Sequence, residues 1–264
     1  MMQDLAVVFD SAGTILRTYR VAKDIRRGIL LKDVLTSDLV MEKCGRALII
    51  PQFDTELIVS SSPDTPIRSI LDKNSIEISC ASTPITKEKA IEVLCSSDTR
   101  IADVQEAYSE VRSKCPDTYS NAGMIIDVEL SEVAYTISTG GTPFPGLANV
   151  LDQLKDLGAE IFVASGDSMR SLLHLTDYGI KLDHIYSVAD PMRKREIVFL
   201  LKERYRKVVM VGDGLNDLYA LKAADLGVLT TQQNSHPPMN LIRSADRVID
   251  DILELPEFLR CIAA

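Results

Sequence analysis

The chain has 264 residues, of which 46% are hydrophobic and 25% charged, and this length allows one large domain with a smaller module. Its net charge of −9 argues against a general nucleic-acid binder and against a protein that binds anionic membranes. No apolar run approaches the ~20 residues of a membrane span. The N-terminus lacks the pattern of a signal peptide and the five cysteines form no CxxC pair, so we expect a reduced, cytoplasmic protein.

The first predicted element is a buried strand that ends at a carboxylate. Residues 5–9 form an unbroken apolar run, and Asp10 follows at once. Short runs of this kind are typical of strands buried on both faces, and a parallel strand delivers its last residue to the edge where open α/β sheets bind ligands. We therefore expect Asp10 at that edge, with a sharp turn at Gly13 and a hydrogen bond from Thr14 back to the Asp10 carboxylate.

The middle of the chain has the pattern of a separate α+β module. Residues 15–21 alternate between apolar and polar and predict a short hairpin. Further strands are predicted at 47–50, 57–59, 124–128 and 133–137, and helices at 86–94 and 98–114. We interpret residues 23–139 as an α+β cap domain inserted into a larger core.

The remaining residues predict strands that alternate with helices. The strands are expected at 161–164, 184–188, 207–211, 226–229 and 247–249, and the helices at 147–157, 168–178, 192–205, up to 223, and at the C-terminus. This alternation predicts right-handed crossovers and a parallel sheet. The predicted fold class is α/β, with a Rossmann-like parallel sheet and helices on both faces, formed by residues 1–22 and 140–264.

Chemically active residues follow several of the predicted strands. They are Asp10, then Ser165 with Gly166, then Asp213, while Lys194 stands near the start of a helix. A carboxylate nucleophile, a hydroxyl, an ammonium and acidic metal ligands suit phosphoryl transfer, because lysine binds phosphate oxygens and carboxylates bind Mg²⁺. The cations offset the repulsion between a carboxylate and a phosphate dianion. The expected partner is a small phosphorylated substrate, and the oligomeric state stays open.

The same segments resemble the haloacid dehalogenase superfamily. Its four motifs are matched at residues 9–14, 163–167, 194 and 211–217, and the core is most similar to the phosphorylation domain of P-type ATPases. The resemblance implies an aspartyl phosphate on Asp10, with Lys194 as the second catalytic residue. It also implies phosphate binding by Ser165, Gly166, Lys194 and Asn216, and Mg²⁺ binding by Asp10, the Ala12 carbonyl, Asp213 and Asp217.

One position departs from the pattern of that superfamily. Its phosphatases usually carry a second, acid/base aspartate two residues after the nucleophile, where this chain has Ala12. The loss of a general acid/base typically costs about 10²–10⁴-fold in rate.

Three hypotheses follow from this departure. The first is a magnesium-dependent phosphohydrolase or phosphotransferase that acts on a good leaving group or borrows an acid from the cap. The second is an enzyme similar to phosphonoacetaldehyde hydrolases, which need a cap lysine, here Lys32 or Lys43. The third is a weakly active phosphate-binding sensor with the cap as its partner surface.

Overall fold

The computed structural model describes residues 3–51, 55–71, 76–115, 120–233 and 236–263. The chain divides into two compact units, a core unit of Met1–Thr18 with Thr142–Ala264 and an inserted unit of Tyr19–Gly141. Among the described residues, none of the helices combines the length and apolar character that a membrane crossing needs.

The elements are numbered along the chain. The strands are β1 (Gln3–Phe9), β2 (Leu16–Asp24), β3 (Ile29–Lys32), β4 (Arg46–Pro51), β5 (Ile76–Ala81), β6 (Ser120–Asp127), β7 (Glu132–Pro143), β8 (Ala159–Ala164), β9 (Ile185–Tyr186), β10 (Tyr205–Gly212), β11 (Leu226–Thr230) and β12 (Arg247–Ile249). The helices are α1 (Thr36–Met41), α2 (Thr55–Ser60), α3 (Lys87–Ser96), α4 (Ile101–Lys114), α5 (Leu147–Asp156), α6 (Met169–Leu172), α7 (Pro191–Lys202), α8 (Leu218–Ala223), α9 (Met239–Ile242) and α10 (Leu255–Ala263). Short 3-10 helices are Ile67–Ser69, Leu173–Tyr178, Leu182–His184, Leu215–Asp217 and Ile252–Glu254.

The core unit is built on a parallel sheet with strand order β12-β11-β10-β1-β8-β9. Val7 and Phe9 of β1 pack on one face against apolar residues of α5, and Ala6 and Val8 pack on the other against α7 and α8. The apolar run is buried because helices cover both faces of the sheet. Phe9 lies beside β8 and β10 in register, so these three strands end at one edge. The predicted α/β fold class is confirmed.

The inserted unit is a second sheet with strand order β3-β2-β7-β6-β4-β5. Its neighbouring strands pair antiparallel in β2–β3, β4–β5, β4–β6 and β6–β7. Apolar residues of α3 and α4 cover one face of this sheet. The boundaries of the two units differ by a few residues from the predicted 1–22, 23–139 and 140–264, because β2 and β7 each run across a boundary.

The prediction of a strand at 57–59 is wrong, because these residues lie in α2. Only Ile58 of the three is buried in the core of the inserted unit. The Gln105 side-chain amide donates to the carbonyls of Ile58 and Ser61, at 2.8 and 3.0 Å, and so caps the end of this helix. Such a long-range contact leaves no trace in a three-residue apolar run, which periodicity alone assigns to neither a strand nor a helix.

Two predicted helices in the core unit are shorter than expected. The helix expected at 168–178 is a single α-helical turn, α6, followed by the 3-10 helix Leu173–Tyr178. The helix expected at 192–205 begins at Pro191 and ends at Lys202, and Tyr205 already belongs to β10. The Tyr205 hydroxyl donates to Glu160 of β8 at 2.7 Å, which holds this ring at the start of its strand.

Candidate active site

Asp10 lies where the central strand of the core unit ends. It follows β1 directly, the residue is 2% exposed, and its amide donates to the Val211 carbonyl of β10 at 2.9 Å. This hydrogen bond continues the pairing of β1 with β10 by one residue. The backbone of Asp10 is therefore held by the sheet, and its carboxylate stands at the edge where β1, β8 and β10 end.

A buried lysine joins Asp10 to a second carboxylate. The Lys194 Nζ lies 2.5 Å from an oxygen of Asp10 and 2.7 Å from an oxygen of Asp217, and all three side chains are buried. Lys194 is placed by the first turn of α7, where the Asp190 carboxylate accepts from the Arg193 amide at 2.7 Å. A buried ion network of this kind is held together by its pairing, since removing one partner leaves an uncompensated charge.

The electrostatics of this network shift both protonation equilibria. Burial raises the pKa of Asp10 to about 7, and the charge of Asp217 adds to this, while Lys194 acts in the opposite direction. Burial acts to lower the pKa of Lys194, but the carboxylates of Asp10 and Asp217 outweigh it and raise that pKa above its usual value. Lys194 is therefore an ammonium at neutral pH, and Asp10 titrates near neutrality.

Three carboxylates meet at this point, and together they fit a divalent cation. One oxygen from each of Asp10, Asp213 and Asp217 lies within 4.8 Å of the other two. With Lys194 as the ammonium among them, the group carries excess negative charge, and carboxylate oxygens are ligands that Mg²⁺ prefers. Both Asp217 oxygens are engaged, one by Lys194 and the other by the amides of Asp213 and Gly214 at 3.2 and 3.1 Å. This favours Asp217 as the group that orients Lys194.

The turn after Asp10 packs directly against Asp213. Gly13 has a φ of +83°, and a Cβ at this position would lie 2.0 Å from an Asp213 carboxylate oxygen. The Thr14 hydroxyl donates to the other Asp213 oxygen at 3.5 Å. The prediction that Thr14 hydrogen-bonds to Asp10 is therefore wrong, because the turn carries its side chain to the Asp213 carboxylate.

The Ser165 loop follows β8 at the same edge of the sheet. The Ser165 hydroxyl is buried, donates to the Asp167 carboxylate at 3.1 Å and accepts from the Asp167 amide at 3.1 Å. The amides of Val188 and Ala189 donate to the carbonyls of Asp167 and Ser165, both at 2.8 Å. Val188 has a φ of +49°, which is strained for a β-branched residue. The loop is thus held in place by backbone hydrogen bonds from the segment between β9 and α7.

The structure brings four of the predicted site residues together. Asp10, Lys194, Asp213 and Asp217 lie together, and Ser165 reaches the same edge of the sheet through the register of β8. Gly166 and Ala12 are half-buried, and Asn216 is exposed.

Sequence reasoning missed Gln232. Its side-chain amide donates to the Thr14 carbonyl at 2.6 Å. Its position just after the apolar strand β11, at the carboxyl edge of the sheet, is the sequence signal that would have found it.

Comparisons with known proteins show the family to which the chain belongs. Residues 5–225 match the family model of haloacid dehalogenase-like hydrolases. The chain is 33% identical over 258 residues to a protein of Methanocaldococcus jannaschii named as a soluble P-type ATPase-like phosphatase, covering 97% of this chain and 93% of that protein. The chain therefore belongs to the haloacid dehalogenase-like hydrolase family, and it is an enzyme of that family.

P-type ATPases are further relatives. The chain is 24% identical over 262 residues to the ATP-binding subunit of a potassium-transporting ATPase of Halobacterium salinarum. This alignment covers 84% of this chain and 36% of that protein. The crystal structure of a zinc-transporting PIB-type ATPase aligns with a TM-score of 0.48 at 16% identity, over 98% of this chain and 40% of that chain. The chain thus spans only part of the transporters that it matches.

Proposed function

We propose that the protein is a magnesium-dependent phosphohydrolase or phosphotransferase that works through an aspartyl phosphate on Asp10. The observation that carries this proposal is the buried Asp10–Lys194–Asp217 network, with Asp213 beside it, at the end of β1. Membership of the hydrolase family and the named phosphatase relative support the same reaction class. The proposed substrate is a small phosphorylated molecule, and the proposed location is the cytoplasm.

Each residue of the network has a proposed role. The Asp10 carboxylate attacks phosphorus, the leaving group departs with the electron pair of its P–O bond, and water then cleaves the acyl phosphate to release inorganic phosphate. Lys194 holds Asp10 in place and offsets negative charge, and Asp217 orients Lys194. Asp10, the Ala12 carbonyl and Asp213 would hold Mg²⁺, whose charge offsets that of the phosphoryl group. Ser165, Gly166 and Asn216 are proposed to bind phosphoryl oxygens.

Ala12 determines which leaving groups this site handles well. Its methyl group has no proton to give to a departing alkoxide, and general acid catalysis is typically worth about 10²–10⁴-fold. The leaving group of a phosphoanhydride, an acyl phosphate or an aryl phosphate departs as a stable anion and does not need that proton. We therefore propose that the enzyme acts on phosphorylated compounds whose leaving group is a weak base.

The two lysines that an imine mechanism would need are both paired with carboxylates. Lys32 lies 2.6 Å from Glu110, a hydrogen bond that raises the pKa of Lys32, and Lys43 lies 2.7 Å from the buried carboxylate of Asp127. An imine forms from a neutral amine, so these pairings count against a phosphonoacetaldehyde hydrolase. We further propose that the inserted unit selects the substrate, since it begins at Tyr19, a few residues after the Gly13–Thr14 turn.

Trapping the intermediate tests the proposal. The protein is incubated with Mg²⁺ and p-nitrophenyl phosphate or acetyl phosphate, quenched in acid and digested. The mass of the peptide that carries Asp10 is then measured by mass spectrometry. We expect one phosphoryl group on that peptide in the wild type, none in Asp10→Asn, and wild-type behaviour in Asp183→Asn, which alters an exposed carboxylate of the core unit. An Asp10→Asn protein that hydrolyses these two substrates as fast as the wild type would refute the proposal.

A second variant tests the role of Ala12. Ala12→Asp restores a carboxylic acid at the position where it can protonate an alkoxide. We expect it to raise kcat/KM for alkyl phosphates more than kcat/KM for p-nitrophenyl phosphate, because kcat/KM reports the step in which the leaving group departs and only the alkyl leaving group needs the proton. Equal effects on the two kcat/KM values would show that Ala12 does not determine the leaving-group preference.

A further inference from the structure

We propose that Gln232 is a positioning residue for the metal-binding side of the site, which it supports by holding the turn of residues 11–16 against Asp213. The inference rests on the proposed function, because its measurable effect is on Mg²⁺ binding. Gln232 does not touch the reacting groups itself. It acts through the backbone of the turn.

The side chain of Gln232 is fixed at both ends. Its Nε2 donates to the Thr14 carbonyl at 2.6 Å, and its Oε1 accepts from the Ile252 amide at 3.1 Å. A carbonyl only accepts and an amide N–H only donates, so these partners define which way the Gln232 amide faces. The residue therefore joins the turn after Asp10 to the 3-10 helix that begins at Ile252.

The turn of residues 11–16 is closed by hydrogen bonds between its own backbone groups. The Ser11 carbonyl accepts from the amides of Ile15 and Leu16, both at 3.0 Å, and the Gly13 amide donates to the Leu16 carbonyl at 2.8 Å. These bonds hold the turn together. Two of its carbonyls bond outside it, that of Ile15 to the Phe144 amide at 3.0 Å and that of Thr14 to the Gln232 side chain. The hydrogen bond to Gln232 therefore anchors the turn to the loop after β11.

The anchored turn sets the position of two proposed metal-binding groups. Ala12 and Gly13 are part of the turn, and Gly13 and Thr14 both lie against the Asp213 carboxylate. Asp213 is half-buried, and contacts from the turn help to restrict where its oxygens lie. If the Gln232 bond is lost, the Ala12 carbonyl and the Asp213 carboxylate lose their relative alignment. Groups that bond directly to a metal ligand typically contribute about 10- to 100-fold in metal affinity, and the turn carries such a group, the Thr14 hydroxyl that donates to Asp213.

The neighbouring glutamine provides a matched control. Gln233 also bonds to backbone at both ends of its amide, accepting from the Thr18 amide at 3.0 Å and donating to the Thr18 carbonyl at 3.3 Å. It has the same residue type, lies in the same loop and is also anchored to the chain after Asp10. Its partner lies beyond the turn of residues 11–16, so its loss leaves the contact with Asp213 in place.

The experiment measures Mg²⁺ affinity in four proteins, the wild type, Gln232→Ala, Gln232→Glu and Gln233→Ala. Each is stripped with EDTA and titrated with MgCl₂, once alone by calorimetry and once with beryllium fluoride by melting temperature. We expect affinity to fall by about 10- to 100-fold in both Gln232 variants. We expect it to stay close to the wild-type value in Gln233→Ala.

Gln232→Glu separates positioning from charge and from folding. It keeps the oxygen that accepts from Ile252, but it places an acceptor against the Thr14 carbonyl. Its added negative charge alone would tighten Mg²⁺ binding, so weaker binding must come from the displaced turn. If the wild type responds to Mg²⁺ and the Gln232 variants match it, or lose only stability, this inference is overturned alone. If the wild type does not respond to Mg²⁺, the proposed function fails and the inference fails with it.

Discussion

Gly13→Ala tests how closely the turn approaches Asp213, a proposed metal ligand. The added Cβ would lie 2.0 and 2.9 Å from the two Asp213 oxygens and 2.5 Å from its Cγ, so the carboxylate has to move. The φ of +83° adds backbone strain of about 1–2 kcal/mol, which corresponds to about 2–8 °C in Tm. Asp213 is half-buried, and we expect the metal-free variant to lose about this much stability from backbone strain.

The larger effect is expected on Mg²⁺ binding. A ligand at about 100 times its Kd stabilises a protein by ~2.7 kcal/mol. If moving Asp213 weakens Mg²⁺ about 100-fold, the same concentration then equals the Kd and stabilises by only ~0.4 kcal/mol. The variant therefore loses most of the Mg²⁺-dependent rise in Tm. The loss of Tm from backbone strain comes in addition and affects the metal-free and the Mg²⁺-bound protein alike.

Gly158→Ala is the control for strain alone. Gly158 has a φ of +79°, and among the described residues no atom lies within 4 Å of the Cβ that it would gain. Both variants are melted with EDTA and with saturating MgCl₂ and beryllium fluoride. We expect similar losses of Tm in EDTA and a lost Mg²⁺ response only in Gly13→Ala. An intact Mg²⁺ response in Gly13→Ala would refute the role given to the Gly13–Asp213 contact.

Three further predictions concern the charges and the strain around the site. Lys194→Met leaves the buried carboxylates of Asp10 and Asp217 unpaired, so urea unfolding of the metal-free protein should show a loss of about 3–5 kcal/mol, and an unchanged midpoint would contradict the ion network. Because the pKa of Asp10 is raised to about 7 and a metal ligand must be deprotonated, Mg²⁺ affinity measured by calorimetry should rise from about pH 6 to about pH 8, whereas a flat profile would show that the pKa of Asp10 is not raised this far. Val188→Asn relieves the backbone strain of a β-branched residue at a φ of +49° and should raise the free energy of unfolding by about 1 kcal/mol. A lower Tm would show that the contacts of the Val188 side chain stabilise the protein more than this strain destabilises it.

The local part of this site was predictable from the sequence. Asp10 and Asp213 each follow a strand whose apolar run is visible in the sequence, and parallel strands bring their carboxyl ends to one edge. This rule needs no knowledge of distant contacts, because each residue is placed by the element next to it in the chain. The burial of β1 on both faces was predictable for the same reason.

The pairing of side chains was not predictable in the same way. Thr14 was expected to bond to Asp10, but it donates to Asp213, 199 residues away in the chain. Gln232 and Thr14 are separated by 218 residues. No periodicity or spacing encodes which hydroxyl or amide reaches which partner, since this depends on how the turn and the loops after β10 and β11 come together. The helix at Thr55–Ser60 shows the same limit, because a contact from α4 stabilises its end.

The absence of an acid/base group at Ala12 affects both halves of the proposed reaction. In this class of mechanism one carboxyl group gives a proton to the leaving group and later takes one from the attacking water, so its loss removes both contributions. A good leaving group compensates for the first loss and not for the second, which leaves hydrolysis of the acyl phosphate slower by about 10²–10⁴-fold. The phosphorylated enzyme should therefore accumulate on p-nitrophenyl phosphate, with a burst of nitrophenol equal to the enzyme concentration. Ala12→Asp should remove that burst by speeding the second half, and a wild type without a burst would show that another group activates the water.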